Sequence, residues 1–209
     1  MRVLVACEYS GIVRDAFTAA GHDAMSCDLR PSETPGPHYQ GNIFDVLQDE
    51  WDLMVAHPPC TYMANSGVRW LYDPRPKFAR RWEQLEEGAR FFRRLLDADV
   101  PRIAVENPTM HGHAKRRVGQ DPSQKIHPWQ FGHGETKATY LWLLNLPPLV
   151  PTDIVDGREA RVHNMAPSPD RQKERSRFFP GIAAAMADQW GSLPVLGSRV
   201  PADLELAID

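Results

Sequence analysis

The sequence predicts a doubly wound α/β domain, and three observations carry the prediction. The chain opens with a β-α-β pattern, residues 2–28, whose first turn holds a glycine. Two further apolar runs, 51–57 and 101–107, end in polar residues followed by proline, as buried parallel strands do when they deliver side chains to their carboxyl edge. Between these two runs lies a long amphipathic segment of the kind that makes a parallel crossover.

Each element has its own signal. Residues 2–6, RVLVA, are a short β-branched strand that runs into CEYSG. In IVRDAFTAAGH the residues Ile12, Val13, Ala16, Phe17 and Ala20 share one helical face, and Gly21 is a natural stop. DAMSCDL reads as the second strand, ending near Asp28. The proline- and glycine-rich stretch 31–40 reads as a loop, and GNIFDV as a short strand or turn. WDLMVAH is the next buried strand, and Pro58-Pro59 forbids further pairing, which places Cys60 on a loop at the strand's carboxyl end. Over 77–97, Phe78, Trp82, Leu85, Ala89, Phe92 and Leu96 recur at helical spacing, so the aromatics are expected in the core. PRIAVEN is a strand, 110–135 reads as irregular, TYLWLL (139–144) is a strand, and GIAAAMADQW (181–190) a helix. Residues 152–177 read as polar loop.

Composition bounds the function. The 209 residues suit one domain, with 42% hydrophobic and 24% charged residues, an ordinary globular balance. A formal net charge of −3 excludes a broadly basic nucleic-acid coat while leaving room for a local basic groove. Cys7, Cys27 and Cys60 are odd in number and unpaired in spacing, which points to a reducing compartment and away from a disulfide framework or zinc ribbon. No apolar run is long enough for a signal peptide or membrane span, so a cytoplasmic protein without a membrane partner is expected. His111, His113, His127 and His133 match no zinc spacing, and no metal is expected.

Three positions stand at strand ends with chemistry-bearing side chains. Cys60 has the placement of an exposed nucleophile, and a small buried apolar role is its plain alternative; Cys7 and Cys27 are read as buried. Glu106 has the placement of a general acid, against the alternative of a solvated carboxylate or a cap. Asp28, some 20 residues after the first turn, suits ribose hydroxyls or an N-cap. His57 stands just before the double proline as an electrostatic aid to Cys60 or a hydrogen-bonded spacer. Lys115, Arg116 and Arg117, with the cluster Arg171–Arg177, read as loop cations that hold phosphates or merely meet solvent; Trp129 or Phe131 would stack on a base.

Taken in order, these motifs resemble the DNA (cytosine-5) methyltransferases. Tyr9-Ser10-Gly11 is similar to the turn that holds S-adenosylmethionine, Cys27-Asp28-Leu29 to the acidic second motif, and Gly41-Asn42-Ile43 with Asp45 to the third. Asp52-Leu53 through Pro58-Pro59-Cys60 resembles the nucleophile motif, with Ser66-Gly67 in its loop; Glu106-Asn107 resembles the glutamate-asparagine motif. Gly181-Ile182-Ala183 through Trp190-Gly191 resembles the closing motif. The likeness covers roughly 1–110 and 180–191, most specifically in the Pro-Pro-Cys and Glu-Asn pair, and is narrowest to short methylase-like proteins of phages and prophages. Three departures stand out: Val13 where the family usually has another glycine, Glu8 as an unusual neighbour of the turn, and Asn42 in place of an acid that often contacts adenine.

The resemblance implies a Rossmann-like domain of the S-adenosylmethionine-dependent methyltransferase type. Its core would be 1–110 and 179–209, with 111–178 as a reduced, irregular, basic recognition region. It implies Cys60, Glu106 and Asn107 as catalytic residues, and Tyr9, Ser10, Gly11, Asp28, Asn42, Ile43, Asp45 and Pro58 at the cofactor. It implies DNA as partner, met by Ser66, Lys115, Arg116 and Arg117, with Lys137, Arg175 or Arg177 supporting the pyrimidine carbonyl. Little chain remains for a large recognition domain, which keeps open another carbon-5 pyrimidine modification, including one on free nucleotides; the thin glycine turn keeps open a catalytically inactive DNA-binding protein of the same fold.

Overall fold

A computed structural model describes residues 1–161, 165–166 and 177–196. Seven strands form one sheet: β1 (Arg2–Ala6), β2 (Asp23–Asp28), β3 (His38–Gln40), β4 (Leu53–Ala56), β5 (Ile103–Pro108), β6 (Gln124–Ile126) and β7 (Thr139–Leu144). The spatial order is β3-β2-β1-β4-β5-β7-β6. The first five strands pair in parallel, and β7 is antiparallel to both β5 and β6. The chain therefore moves outward from β1 to β3, returns to β4, and reverses direction between β1 and β4. In such a sheet the crevice outside the carboxyl ends at the reversal is where ligands bind.

Alternation along the strands builds two apolar layers. Val3, Val5, Leu53, Val55 and Ala104 face one side, against Val13 and Phe17 of α1 (Ile12–Ala19) and Ile182, Ala183 and Met186 of α4 (Pro180–Gly191). Leu4, Ala6, Met54, Ala56, Ile103 and Val105 face the other, against Leu85, Ala89, Phe92 and Leu95 of α2 (Arg81–Leu96) and Ala114 and Val118 of α3 (Gly112–Val118). Both sheet faces are covered by helices, which is the doubly wound α/β architecture of the sequence reading.

Several local expectations change. The loop at 31–40 contains β3, which needs only three residues because it is an edge strand. GNIFDV forms a 3₁₀ turn at Ile43–Asp45, with Asn42 Oδ1 accepting from the Phe44 amide at 3.1 Å. The helix expected over 77–97 begins at Arg81; its buried row keeps Leu85, Ala89 and Phe92 of the expected stripe and differs at the two ends, where Arg81 and Leu95 are buried and Trp82 is 36% exposed. The stretch 110–135, read as irregular, contains α3, β6 and a 3₁₀ turn at Pro128–Gln130. Their shortness hid them, since seven and three residues give no measurable period. Phe131 is buried in the layer under α1 and α4, so it does not meet a base. No helix among the described residues is long and apolar enough to cross a membrane.

Candidate active site

β4 and β5 bring two reactive groups to one edge. Their register pairs Ala56 with Val105, so the next residues, His57 and Glu106, stand side by side. Ala56 and Val105 face α2, and alternation turns His57 and Glu106 toward the α1–α4 side. His57 Nδ1 lies 3.3 Å from Glu106 Oε2, with the two side chains only 12% and 14% exposed. The imidazole thus braces the glutamate, in keeping with the hydrogen-bonded reading of His57. Phe178 packs on the His57 ring with centroids 4.6 Å apart, walling this pair off from solvent.

Pro58 is buried and anchors the turn, Pro59 is exposed, and Cys60 stands half-buried at the start of the following loop. That loop is tied to the chain leaving β5. The Asn65 amide donates to the Thr109 carbonyl at 2.7 Å, the His111 amide to the Met63 carbonyl at 3.1 Å, and Ala64 bridges Met110. His111 is a buried neutral tie: Nδ1 accepts the Ala114 amide of α3 at 3.1 Å, which leaves Nε2–H to donate to the Tyr62 carbonyl at 3.0 Å. Arg81 adds a bond to the Thr61 carbonyl at 2.7 Å. The cysteine loop is therefore fastened to the chain that leaves the Glu106 strand. Asn107 is fully buried on the α2 side of β5, its Oδ1 without a hydrogen-bond partner among the described residues.

Of the three thiols, two are held neutral by their surroundings. Burial, followed by the Asp28 charge, pushes the Cys7 thiol far above its ordinary value, and burial with Asp28 and Asp45 pushes Cys27 up to about 11. Neither is a nucleophile near neutral pH.

The turn after β1 forms the other half of the crevice. Gly11 sits at φ 76°, and a Cβ there would collide with Thr34 Oγ1 and the Arg14 guanidinium. Glu8 is buried and inserts its carboxylate into the N-terminus of α1: Oε1 accepts the Val13 amide at 2.7 Å and Oε2 the Arg14 amide at 3.1 Å. Ser10 Oγ donates to the same carboxylate at 3.2 Å. The odd neighbour of the glycine turn is thus its organiser. Arg14, fully buried, holds the loop 32–35 through Ser32, Thr34 and the Pro35 carbonyl at 2.6–3.1 Å. That loop borders a concavity of about 300 Å³ lined by Tyr9, Arg30, Pro31, Ser32 and Glu33. Asp28 ends β2 beside it and accepts the Arg30 amide at 2.9 Å. Asn42, Ile43 and Asp45 follow β3 at the same edge, where the Gly41 amide donates to the Asp28 carbonyl; Ile43 is buried, and Asp45 accepts the Tyr39 hydroxyl at 3.2 Å.

The remaining expected residues scatter. Ser66 is exposed on the cysteine loop. Lys115, Arg116 and Arg117 lie on α3, a helix and not a loop: Arg116 meets His113 at 2.7 Å, and Arg117 pairs with Glu86 at 2.6 Å. Lys137 reaches over the Phe179 ring at 5.8 Å. Arg177 pairs with Glu33 at 3.1 Å, so the segment Arg177–Phe179 spans from the Tyr9 concavity to His57. Arg175 lies outside the described residues.

No protein-family model matches the chain, and none of the curated proteins does. Solved structures with some likeness include a protein assigned as a DNA modification methyltransferase encoded within an E. coli prophage, at 15% identity and TM-score 0.45, covering 80% of this chain and 55% of that one. The Entamoeba histolytica methyltransferase EhMeth aligns at 12% identity and TM-score 0.41 over 80% and 60%. The S. pombe Dnmt2 methyltransferase aligns at 13% and 0.38 over 78% and 53%. The chain spans little more than half the length of these neighbours.

Proposed function

We propose that the chain transfers a methyl group from S-adenosylmethionine to carbon 5 of cytosine in DNA through a covalent Cys60 adduct. The observation that carries this reading is the pairing of β4 and β5, which sets the cysteine loop and the His57-braced Glu106 side by side at the reversal of the sheet. A nucleophile and a proton donor on one rigid edge suit an aromatic ring that reacts only after an addition step.

Cys60 thiolate adds to carbon 6, and the carbon 5–carbon 6 electron pair moves to carbon 5. Glu106, held by His57, hydrogen-bonds ring nitrogen 3 and stabilises the charge that develops there. Carbon 5 then takes the methyl group as the sulfonium–methyl bond breaks and S-adenosylhomocysteine leaves; the carbon 5 proton passes to solvent, and the sulfur–carbon 6 bond breaks to return the Cys60 thiolate. S-adenosylmethionine supplies an electrophilic methyl group carried on a sulfonium.

The residues fit that cofactor class. A dinucleotide would need the amides at the N-terminus of α1 for its phosphates, yet Glu8 already occupies them with a buried negative charge. The same carboxylate repels phosphate and favours a cationic ligand. Tyr9, Ser10 and Gly11 would line one side, and Asp28 would take the ribose hydroxyls. A base in duplex DNA reaches Cys60 only when turned out of the stack. The test is transfer of tritiated methyl from S-adenosylmethionine to DNA, followed by nucleoside digestion. Label in 5-methyldeoxycytidine is expected; label in another product, or only with free nucleotides, replaces the reading.

A further inference from the structure

An aromatic and arginine strip leaves the cysteine loop and runs down α2, and no step of the chemistry above uses it. At its upper end Tyr72 is 65% exposed and Trp82 36% exposed. The two rings meet edge to face at 5.7 Å, and His113 of α3 packs on Trp82 at 5.0 Å. The Tyr72 hydroxyl and His113 Nε2 are 2.6 Å apart, which joins the loop to α3. Below them Arg117 lies over Trp82 at 5.5 Å and lines a concavity of about 320 Å³ with Arg90, Arg93 and Arg94. Four guanidinium groups there face two carboxylates, Glu86 and Asp97. Glu86 is spent on Arg117, and Arg94 stacks over Phe44 at 3.4 Å. Arg90 and Arg93 have no ion pair or side-chain hydrogen bond among the described residues.

Arg90 and Arg93 stand one helical turn apart on the exposed side of α2. From Trp82 to Arg93 is roughly 17 Å along the axis at ~1.5 Å per residue. Exposed rings at one end and unpaired planar cations along the rest are the two components that grip a strand of nucleic acid, bases on the rings and phosphates on the arginines. The strip begins where Arg81, in the first turn of α2, bonds to Thr61 of the cysteine loop. A protein of net charge −3 thus gathers arginines along the helix that descends from its reactive edge.

We infer that the Tyr72–Trp82–Arg117–Arg90–Arg93 strip is a single-strand nucleic-acid track that carries the sugar-phosphate backbone flanking the target base. The inference rests on the nucleic-acid substrate reading and adds where the strand runs. It gives the chain a means of holding substrate built into α2 and α3.

The test is fluorescence anisotropy of the full chain with a fluorescein-labelled single-stranded oligonucleotide across a salt series. Arg90→Gln with Arg93→Gln should weaken binding about tenfold or more and lower the salt slope by roughly 0.7 per arginine. Trp82→Ala should weaken it about fivefold or more while leaving the slope unchanged, since stacking releases no counterion. Circular dichroism melts of the arginine variant should match the parent because both side chains are exposed, and Trp82→Ala, which also loses its contacts with Tyr72 and His113, is compared well below its own melting temperature. Parent-like affinity and slope in the arginine variant overturn the track while leaving methyl transfer to DNA standing. An oligonucleotide that the parent chain does not bind also overturns it, and tritium transfer to free deoxycytidine nucleotides then decides the substrate separately.

Discussion

His57 Nδ1 stands 3.3 Å from Glu106 Oε2 because two parallel strands end in register, Ala56 beside Val105. The imidazole holds the carboxyl group in one orientation, under a lid formed by Phe178. Glu106→Gln keeps the shape and removes the acid, so turnover should fall on the order of 10²–10⁴-fold. His57→Asn, which keeps a donor, should retain clearly more activity than His57→Leu. Equal activity in the two His57 variants, measured as kcat at saturating substrate, would show that the hydrogen bond does nothing.

Arg14 is the anchor of the loop beside Tyr9. Arg14→Leu removes its bonds to Ser32, Thr34 and the Pro35 carbonyl and leaves those groups to find water. We expect a loss of about 2–4 kcal/mol in urea unfolding, since a fully buried guanidinium gives up several hydrogen bonds at once. A loss below about 1 kcal/mol, within the range of ordinary surface changes, would mean the loop holds itself.

Stability should fall as the solution is acidified through the histidine range. His111, His127 and His133 are each held below the ordinary histidine value, chiefly by burial; carbonyl bonds at His111 and His127, and the Asp153 charge at His133, oppose this in part. A lowered folded value means the neutral form is the stabilising one. The contribution is therefore complete above about pH 6.5, the unfolded value, and is lost as pH falls below it toward the folded values. His111 and His133 add a structural reason, as each accepts a backbone amide, Ala114 at 3.1 Å and Gly181 at 2.9 Å, that a protonated ring could not. Melting temperatures at pH 7.5 and 5.5 check this; a flat profile contradicts it. Asp73, held at about 2 by Arg75, does not titrate in that window.

How much of this was legible in the sequence differs by element. Strand ends were readable because prolines mark them, and so Cys60 and Glu106 could be placed at one edge. Their neighbours were not. His57 reads as an aid to Cys60 or as a hydrogen-bonded spacer from its place in sequence, and only strand register names its partner, Glu106, 49 positions away. Glu8 reads as an anomaly until its carboxylate is seen capping α1, and nothing local marks Arg14 as the buried anchor of the loop 32–35. The stripe on α2 was legible at Leu85, Ala89 and Phe92, but in the first turn Arg81 is buried and Trp82 stands at the surface. Alternation would have paired His57 with Glu106 had the register of β4 and β5 been known; nothing local predicts that register.

The buried thiols predict a chemical pattern. In Cys60→Ser, with Cys7 and Cys27 held as neutral thiols, a thiol reagent near neutral pH should find no fast-reacting group in the folded protein and two groups after denaturation. A fast thiol in the folded variant would place Cys7 or Cys27 at the surface.

The most direct measurement is incubation of the chain with DNA containing 5-fluorocytosine and S-adenosylmethionine, followed by denaturing electrophoresis and peptide mass spectrometry. With fluorine in place of the carbon 5 proton, the elimination that breaks the sulfur–carbon 6 bond cannot occur, so the account predicts a trapped adduct that carries the methyl group and maps to Cys60. Absence of any adduct from the folded protein, or an adduct at another residue, contradicts it.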